Sequence, residues 1–387
     1  MAEPNLIEHL SGGNHELFHS NMLAYIAQKY PDFFLSLFKP EAGSKLKDYD
    51  RGHVRREKNH FDLSITDSKG KYLFVLENKM KSFPDTLQLD NYSKKSKGAI
   101  RILLTMISTD EEIDKWHQIT YGQLAERMMN NIGRHKFECY FRHLLEDYIE
   151  YLCRISEKVN DINIEVDAKA KHWLQKGKKS EDLTWEDKFI QKVRFQLLAD
   201  EIKKNYNNPL DCGAGIIRGA TPYINIWPVL KFDKSEKRTQ QLKQWRELTR
   251  ENKCHQYWCQ IYDDHIERGF CVYYDKISEN NSDIMQNHPK KSRQAKNRYP
   301  FLEQVWNRYI ENIPELNEVA EKLDLKTQFE NNRKLKGDKA LKAYIYSDMV
   351  MVYVREDLGE ETLNDIIEKI SGEINDVYKI MSKTFNN

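Results

Sequence analysis

The stretch VLENKM, residues 75–80, places a carboxylate and an amine where an apolar strand ends. The run YLFVL just before it, residues 72–76, has the composition of a buried strand. Side chains of a strand alternate between its two faces, so Glu77 and Lys79 should share one face. Such a pair at the end of a buried strand can hold a cation, orient a water molecule and offset charge on a phosphate.

A second carboxylate should lie on the same face. The segment FDLSITD alternates like a strand, and DSKG after it has the chemistry of a turn. A four-residue loop would set Thr66 opposite Lys71 and Asp62 opposite Val75. Asp62 would then lie one diagonal step from Glu77, at roughly 7 Å between Cβ atoms. Two carboxylates so placed favour Mg²⁺ or Mn²⁺, whereas a one-residue slip would move Asp62 to the other face.

The elements around these residues predict a compact α/β unit with a mixed sheet flanked by helices. Its helices and strands are expected at 16–30, 61–67, 71–79, 82–97, 99–108, 120–128 and 137–159. The second half has aromatic, strand-like segments separated by helical ones, which predicts an additional α+β region. These segments are 184–206, 221–232, 236–252, 257–263, 268–275, 301–322, 342–356 and 360–381. We therefore expect domains at 1–159 and 184–387, joined by a polar linker at 160–183.

Composition narrows the classes of protein to consider. The chain has 387 residues, 40% of them hydrophobic, which supports a substantial core and argues against a disordered protein. A formal net charge of +1 gives no overall basic field, so any nucleic-acid site must be a local patch. We expect no signal peptide and no membrane span. The six cysteines form no CxxC pair, which favours reduced thiols and a cytoplasmic protein.

The chain resembles the PD-(D/E)XK nuclease superfamily, whose fold is that of restriction endonucleases. The resemblance spans roughly residues 14–130 and is carried by Asp62 followed by Glu77-Asn78-Lys79, in helix–strand–strand–helix–strand order. Phe61 stands where the motif commonly has proline. The resemblance implies a restriction-endonuclease-like core, with Asp62 and Glu77 holding Mg²⁺ or Mn²⁺ and Asn78 adding its backbone carbonyl. Lys79 would position the water that attacks a phosphodiester.

The helix after the motif adds Gln88 and Tyr92, which resemble the QxxxY signature of the RecB-like branch. Residues four apart share one helical face, so the amide and the phenol can bind a phosphate or position Lys79. A solvated helix face is the other reading of this pair. Upstream, Glu16 opens the first helix, and the resemblance implies a further metal ligand there. Its alternative role is favourable charge placement at a helix N-terminus.

Clusters of basic residues most often form a solvated surface, but those that flank the proposed site predict where DNA, double- or single-stranded, would contact the protein. Two flank the proposed site, namely Arg51, Arg55, Arg56 and Lys58, and Lys94, Lys95, Lys97 and Arg101. Two more lie in the second region, at 290–298 and 333–336. A homodimer or a protein partner is compatible with the sequence, and the C-terminal region would recognise a target or partner.

Three functional readings stay open at this point. The first is an active metal-dependent deoxyribonuclease, of the kind used in restriction or phage defence. The second is a nucleic-acid-binding protein that keeps the nuclease fold without turnover. The third is a globular protein in which Asp62, Glu77 and Lys79 match the motif by chance, with Glu77 and Lys79 merely reaching solvent at a strand end.

Overall fold

The computed structural model divides the chain into two compact units. The first comprises Met1–Asn163 with Thr184–Val193, and the second Ile164–Leu183 with Arg194–Asn387. The structure describes residues 7, 15–43, 46, 53–57, 60–80, 84, 86–108, 115–175, 185–206, 210–216, 222–229, 256–273, 302–328, 342–345 and 349–385.

The first unit is built on a five-stranded mixed sheet with strands in the order β1-β2-β3-β4-β5. These are β1 Val54–Arg56, β2 Leu63–Thr66, β3 Tyr72–Lys79, β4 Ile100–Thr105 and β5 His117–Thr120. The first three strands pair antiparallel, and β3, β4 and β5 pair parallel. The prediction of an α/β unit with a mixed sheet is confirmed.

Helices cover both faces of this sheet. They are α1 His15–Lys29, α2 Pro31–Ala42, α3 Thr86–Lys95, α4 Tyr121–Ile132 and α5 Cys139–Asn160. Helix α3 links the parallel strands β3 and β4, as such a crossover requires. Leu89 of α3 belongs to the same buried cluster as Val75 and Leu103. Phe34 and Phe38 of α2 pack on Phe74, which points to the opposite face of β3.

The loop between β2 and β3 is one residue shorter than the sequence predicts. The Asp67 N–H donates to the Lys71 carbonyl over 2.9 Å, which leaves residues 68–70 as the loop. The Asp67 carboxylate accepts the N–H groups of Lys69 and Lys71. Gly70 has φ of +81°, the left-handed conformation that glycine adopts without strain. The expected four-residue loop is therefore wrong by one position.

A β-bulge shifts the pairing by one residue more. The register changes between Ile65 and Thr66, so Ser64 rather than Asp62 pairs with Val75. The predicted pairing is thus wrong by two residues. Because side chains alternate with a period of two, the two displacements together keep Asp62 on the predicted face.

The second unit contains a six-stranded antiparallel sheet in the order β10-β11-β9-β8-β7-β6. Its strands are β6 Leu210–Ile216, β7 Pro222–Pro228, β8 Gln256–Ile261, β9 His265–Tyr273, β10 Lys342–Ile345 and β11 Met349–Asp357. Its helices are α6 Ala170–Gln175, most of α7 Trp185–Lys204, a π-helical segment Trp306–Glu311, α8 Pro314–Lys322 and α9 Leu363–Phe385. The expected helix at 236–252 lies outside the described residues.

The boundary between the units differs from the predicted linker at 160–183. Within that range α6 buries Trp173 and Leu174, and Lys169 forms a β-bridge with Thr362 of the second unit. Conversely, residues 184–193 belong to the first unit, whereas the sequence predicts that they begin the C-terminal region. The polar composition of 160–183 concealed these buried side chains.

Two further features bear on the sequence predictions. Across the described ranges, no helix is both long and apolar enough to span a membrane. The five cysteines that fall within those ranges are free thiols. Cys254 lies outside the described residues.

Gly269 of β9 marks a close approach of two strands in the second unit. It pairs with Trp258 of β8 and with Tyr353 of β11. Its missing side chain lets these two aromatic rings meet edge to face, with centroids 5.7 Å apart. A Cβ atom at Gly269 would overlap the carbonyl oxygen of Val352 and lie 2.7 Å from the Cα of Tyr353.

We expect Gly269→Ala to destabilise the second unit by more than about 2 kcal/mol, because backbone atoms would have to move. Gly213→Ala in β6 is the matched control, since a Cβ there meets nothing within 4 Å. We expect this control to change stability by less than about 1 kcal/mol. Thermal denaturation followed by circular dichroism measures both, and equal midpoints for the two variants would contradict the packing described here.

Candidate active site

The end of β3 carries an ion pair in a buried setting. Glu77 is only 3% exposed, and its Oε1 lies 2.8 Å from the Nζ of Lys79. The two side chains share a face, as the alternation predicts. The other carboxylate oxygen of Glu77, Oε2, is buried and has no hydrogen-bond partner. A buried carboxylate oxygen without a partner is costly, and it marks a place where a donor or a cation would bind.

A chain of hydrogen bonds continues from this ion pair onto α3. Lys79 Nζ donates to Gln88 Oε1 over 2.9 Å, and Gln88 Nε2 donates to the Tyr92 hydroxyl over 2.9 Å. Tyr92 is buried and packs against Phe61, with ring centroids 5.0 Å apart. Gln88 and Tyr92 therefore face the site rather than forming a solvated helix face. Together they fix the position of the Lys79 ammonium.

Asp62 joins the site through the backbone of β3. Its Oδ2 accepts the N–H of Asn78 over 2.6 Å. Extending the observed pairing of Leu63 with Leu76 by one position sets Asp62 directly opposite Glu77, not diagonal to it. Asp62 and Glu77 thus lie on the same edge of the site, as the sequence predicts, although through a different register.

The two carboxylates hold their protons more tightly than usual. Burial raises the pKa of Asp62 to about 6, against the opposing effects of the Asn78 N–H and the Lys79 charge. Burial and the charge of Asp62 raise the pKa of Glu77 to about 7. Burial alone would lower the pKa of Lys79, but the Glu77 carboxylate raises it overall, so Lys79 stays charged. A cation between the carboxylates would relieve their repulsion.

Glu16 lies in the first turn of α1 and is half-buried, close enough to the two carboxylates to influence their pKa. Its negative charge adds to the raised pKa of both Asp62 and Glu77. Yet among the described residues no three His, Cys, Asp or Glu side chains are grouped closely enough to hold a metal ion. The donors that fit a hard cation are therefore the Asp62 and Glu77 carboxylates, with Glu16 nearby.

Two residues at this strand end were missed by sequence reasoning. The resemblance implies a role only for the main chain of Asn78, yet the residue is 1% exposed and its side chain binds groups on α1 and α4. Lys192 of α7 is also buried, and its Nζ donates to the carbonyl of Met80 over 2.9 Å. Alternation could have directed Asn78 into the opposite face of β3. Nothing local signals Lys192, because more than 100 residues separate it from Met80.

The predicted basic clusters contain both exposed and buried residues. Lys94, Lys95 and Lys97 are exposed beyond Tyr92, as a phosphate contact requires. The prediction is wrong for Arg101, which is buried and donates to the carbonyls of Ser93 and Ser96. In the upstream cluster, Arg55 is exposed and Arg56 binds Asn21 and Glu57. The remaining predicted basic residues lie outside the described residues, namely Arg51, Lys58, 290–298 and 333–336.

Comparison of the chain with protein-family models, curated proteins and solved structures finds no match.

The raised pKa of Asp62 predicts that this carboxylate weakens the metal-free fold. The folded state disfavours the ionised form of Asp62, so the free energy of unfolding falls as pH rises from about 4 through about 6. We expect Asp62→Asn, in chelator-treated buffer, to stabilise the protein at pH 8 by about 1–2 kcal/mol, discounted for partial exposure. The difference should vanish near pH 4.

Asp365→Asn in α9 is the control of opposite sign. Hydrogen bonds from Thr362 lower the pKa of Asp365, so its ionised form favours the fold. We expect this variant to lose stability at pH 8 or to leave it unchanged. Denaturant unfolding at pH 4 and pH 8 measures both variants. Destabilisation by Asp62→Asn at pH 8 would show that the Asp62 carboxylate is instead a stabilising partner in the apo protein.

Proposed function

We propose that the chain is a divalent-metal-dependent nuclease that hydrolyses DNA phosphodiester bonds. The observation that carries this proposal is the buried Glu77 carboxylate, bound to Lys79 through one oxygen and without a partner on the other, with Asp62 opposite. Two carboxylates and a lysine at one strand end are the groups that metal-assisted phosphodiester hydrolysis uses. Mg²⁺ or Mn²⁺ suits these oxygen donors.

The arrangement of elements supports a restriction-endonuclease-like core for the first unit. The elements α1, β2, β3, α3 and β4 follow the helix–strand–strand–helix–strand order that the sequence resemblance implies, with α2 and β1 inserted between α1 and β2. The motif residues fall at the end of the central strand β3, next to the crossover helix. Sites of α/β proteins commonly lie at the carboxyl ends of parallel strands.

Each side chain then has a role in the reaction. Asp62 and Glu77 would hold the cation, with Glu16 adding negative charge beside them. When bound, the cation would polarise the phosphate and offset charge on the leaving oxygen. Lys79, held by Glu77 and Gln88, would orient the attacking water. The water oxygen bonds to phosphorus and releases a proton to solvent, the bond from phosphorus to the sugar oxygen breaks, and that sugar oxygen takes up a proton from solvent.

Substrate contacts would follow α3. Lys94, Lys95 and Lys97 extend beyond the Gln88–Tyr92 pair, and Lys95 lies 5.8 Å from the centre of the Tyr92 ring. Exposed lysines next to the proposed chemistry would bind the phosphate backbone without reading sequence. A local patch of this kind is compatible with the chain's formal net charge of +1.

The test is cleavage of plasmid, linear duplex and single-stranded DNA, and of RNA, with Mg²⁺ or Mn²⁺. We expect metal-dependent DNA cleavage that Lys79→Ala reduces by at least about a hundredfold, because it removes the group that orients the water. Lys29→Ala is the matched control. It removes a lysine whose Nζ lies 2.9 Å from Glu138, in the same unit but far along α1. We expect its activity to match that of the unaltered protein.

Other outcomes would redirect the proposal. Cleavage of RNA alone would change the substrate class and keep the chemistry. Equal cleavage by the protein and by Lys79→Ala would indicate a contaminating nuclease and contradict the assigned site. DNA binding without cleavage under any metal would favour a nucleic-acid-binding protein that retains the fold without turnover.

A further inference from the structure

The Asn78 side chain connects β3 to the helix that carries Glu16. Its Nδ2 donates to the backbone carbonyl of Glu16 over 2.8 Å and lies 3.3 Å from the Oγ of Ser20. The Ser20 hydroxyl donates to the same Glu16 carbonyl over 2.8 Å. Asn78, which lies between Glu77 and Lys79 in the sequence, is thus hydrogen-bonded to the first turn of α1.

The opposite end of the same amide is fixed by α4. The Tyr121 hydroxyl donates to Asn78 Oδ1, and Tyr121 is fully buried. Burial raises the pKa of this phenol well above its ordinary value, so it keeps its proton and acts as a donor. The Glu16 carbonyl can only accept. The nitrogen of the amide must therefore face Glu16 and its oxygen must face Tyr121.

Asn78 also reaches the second carboxylate through its main chain. Its N–H donates to Asp62 Oδ2 over 2.6 Å. One residue therefore contacts the segment that carries Asp62 and the helix turn that carries Glu16, while its neighbours Glu77 and Lys79 form the ion pair. Its side chain and its N–H group serve different partners, and an alanine substitution removes the side chain while it keeps the N–H.

We propose that the Asn78 side chain is a positioning residue that sets Glu16 relative to the Asp62–Glu77 pair, and so tunes the affinity of the site for a divalent cation. This inference rests on the proposed function. Outer-shell hydrogen bonds that hold ligands in place commonly change metal affinity by about 10- to 100-fold when they are removed. The effect of Asn78 must act through Glu16, and this requirement makes the inference testable.

The experiment is a double-mutant cycle on Mn²⁺ binding, measured by electron paramagnetic resonance of free Mn²⁺ with the full chain. We expect Asn78→Ala to weaken Mn²⁺ binding about tenfold. In the Glu16→Gln background, we expect the same substitution to add less than about twofold, because its route of action is already gone. The Mg²⁺ concentration that gives half-maximal DNA cleavage should rise in parallel.

Asn131→Ala is the matched control. Asn131 donates its Nδ2 to the carbonyl of Arg127 over 2.8 Å, an amide-to-carbonyl bond within its own helix at the far end of α4 that ties no second element to the site. We expect its Mn²⁺ affinity to stay within about twofold of the unaltered protein. Tyr121→Phe provides a milder probe if Asn78→Ala fails to fold. It removes one hydroxyl that fixes the amide, and it should weaken Mn²⁺ binding in the same direction, again only when Glu16 is present.

The outcomes separate this inference from the proposed function. If Asn78→Ala and Tyr121→Phe bind Mn²⁺ as tightly as the unaltered protein does, the positioning role is overturned and the metal site stands. If Asn78→Ala weakens binding as much in the Glu16→Gln background as alone, its effect is general loosening, and the inference is overturned. If the unaltered protein binds no Mn²⁺, the proposed metal site fails and this inference with it.

Discussion

The arrangement of the site depends on one costly feature, a carboxylate buried at the end of the central strand. Glu77 is almost fully buried, and an unpaired charge there would have a large desolvation free energy that opposes folding. Lys79 satisfies one of its oxygens, and Gln88 in turn holds Lys79. Asp62 brings a second carboxylate to the same place instead of a second cation. Two carboxylates, Asp62 and Glu77, therefore face a single ammonium, that of Lys79. The sheet, the crossover helix α3 and the first helix meet at this site.

A purely structural ion pair would be arranged differently. A buried ion pair that serves only stability needs hydrogen bonds to its remaining lone pairs. Replacing such a pair by apolar side chains often leaves stability unchanged or increases it. Here Glu77 Oε2 has no hydrogen-bond partner, and the pKa of both Asp62 and Glu77 is raised. The buried Arg268 differs in charge compensation, because it pairs with two carboxylates of opposite sign, those of Glu356 and Glu373, although its Nε also lacks a hydrogen-bond partner. Destabilised groups of one sign at a strand end are typical of functional sites.

The sequence was informative wherever a short-range period decides the geometry. Alternation put Glu77 and Lys79 on one face, and the i,i+4 spacing aimed both Gln88 and Tyr92 at the site. The hairpin register was predicted wrongly, yet Asp62 kept its face because a shorter loop and a bulge displaced it by an even number of residues. Contacts between distant segments had no local signal. The Asn78 amide, the Lys192 contact, the buried Arg101 and the packing within 160–193 all depend on tertiary neighbours that composition does not reveal.

The most direct test of the central claim is calorimetric titration of Mn²⁺ into the unaltered protein and into Glu77→Gln at pH 6 and pH 8. Glu77 has a pKa of about 7, so a cation must displace a proton at pH 6 but not at pH 8. The account predicts binding to the unaltered protein that tightens by about tenfold from pH 6 to pH 8, and loss of binding in Glu77→Gln. If Glu77→Gln binds Mn²⁺ as tightly as the unaltered protein does at both pH values, the account is contradicted, because the buried carboxylate would then take no part in holding the cation.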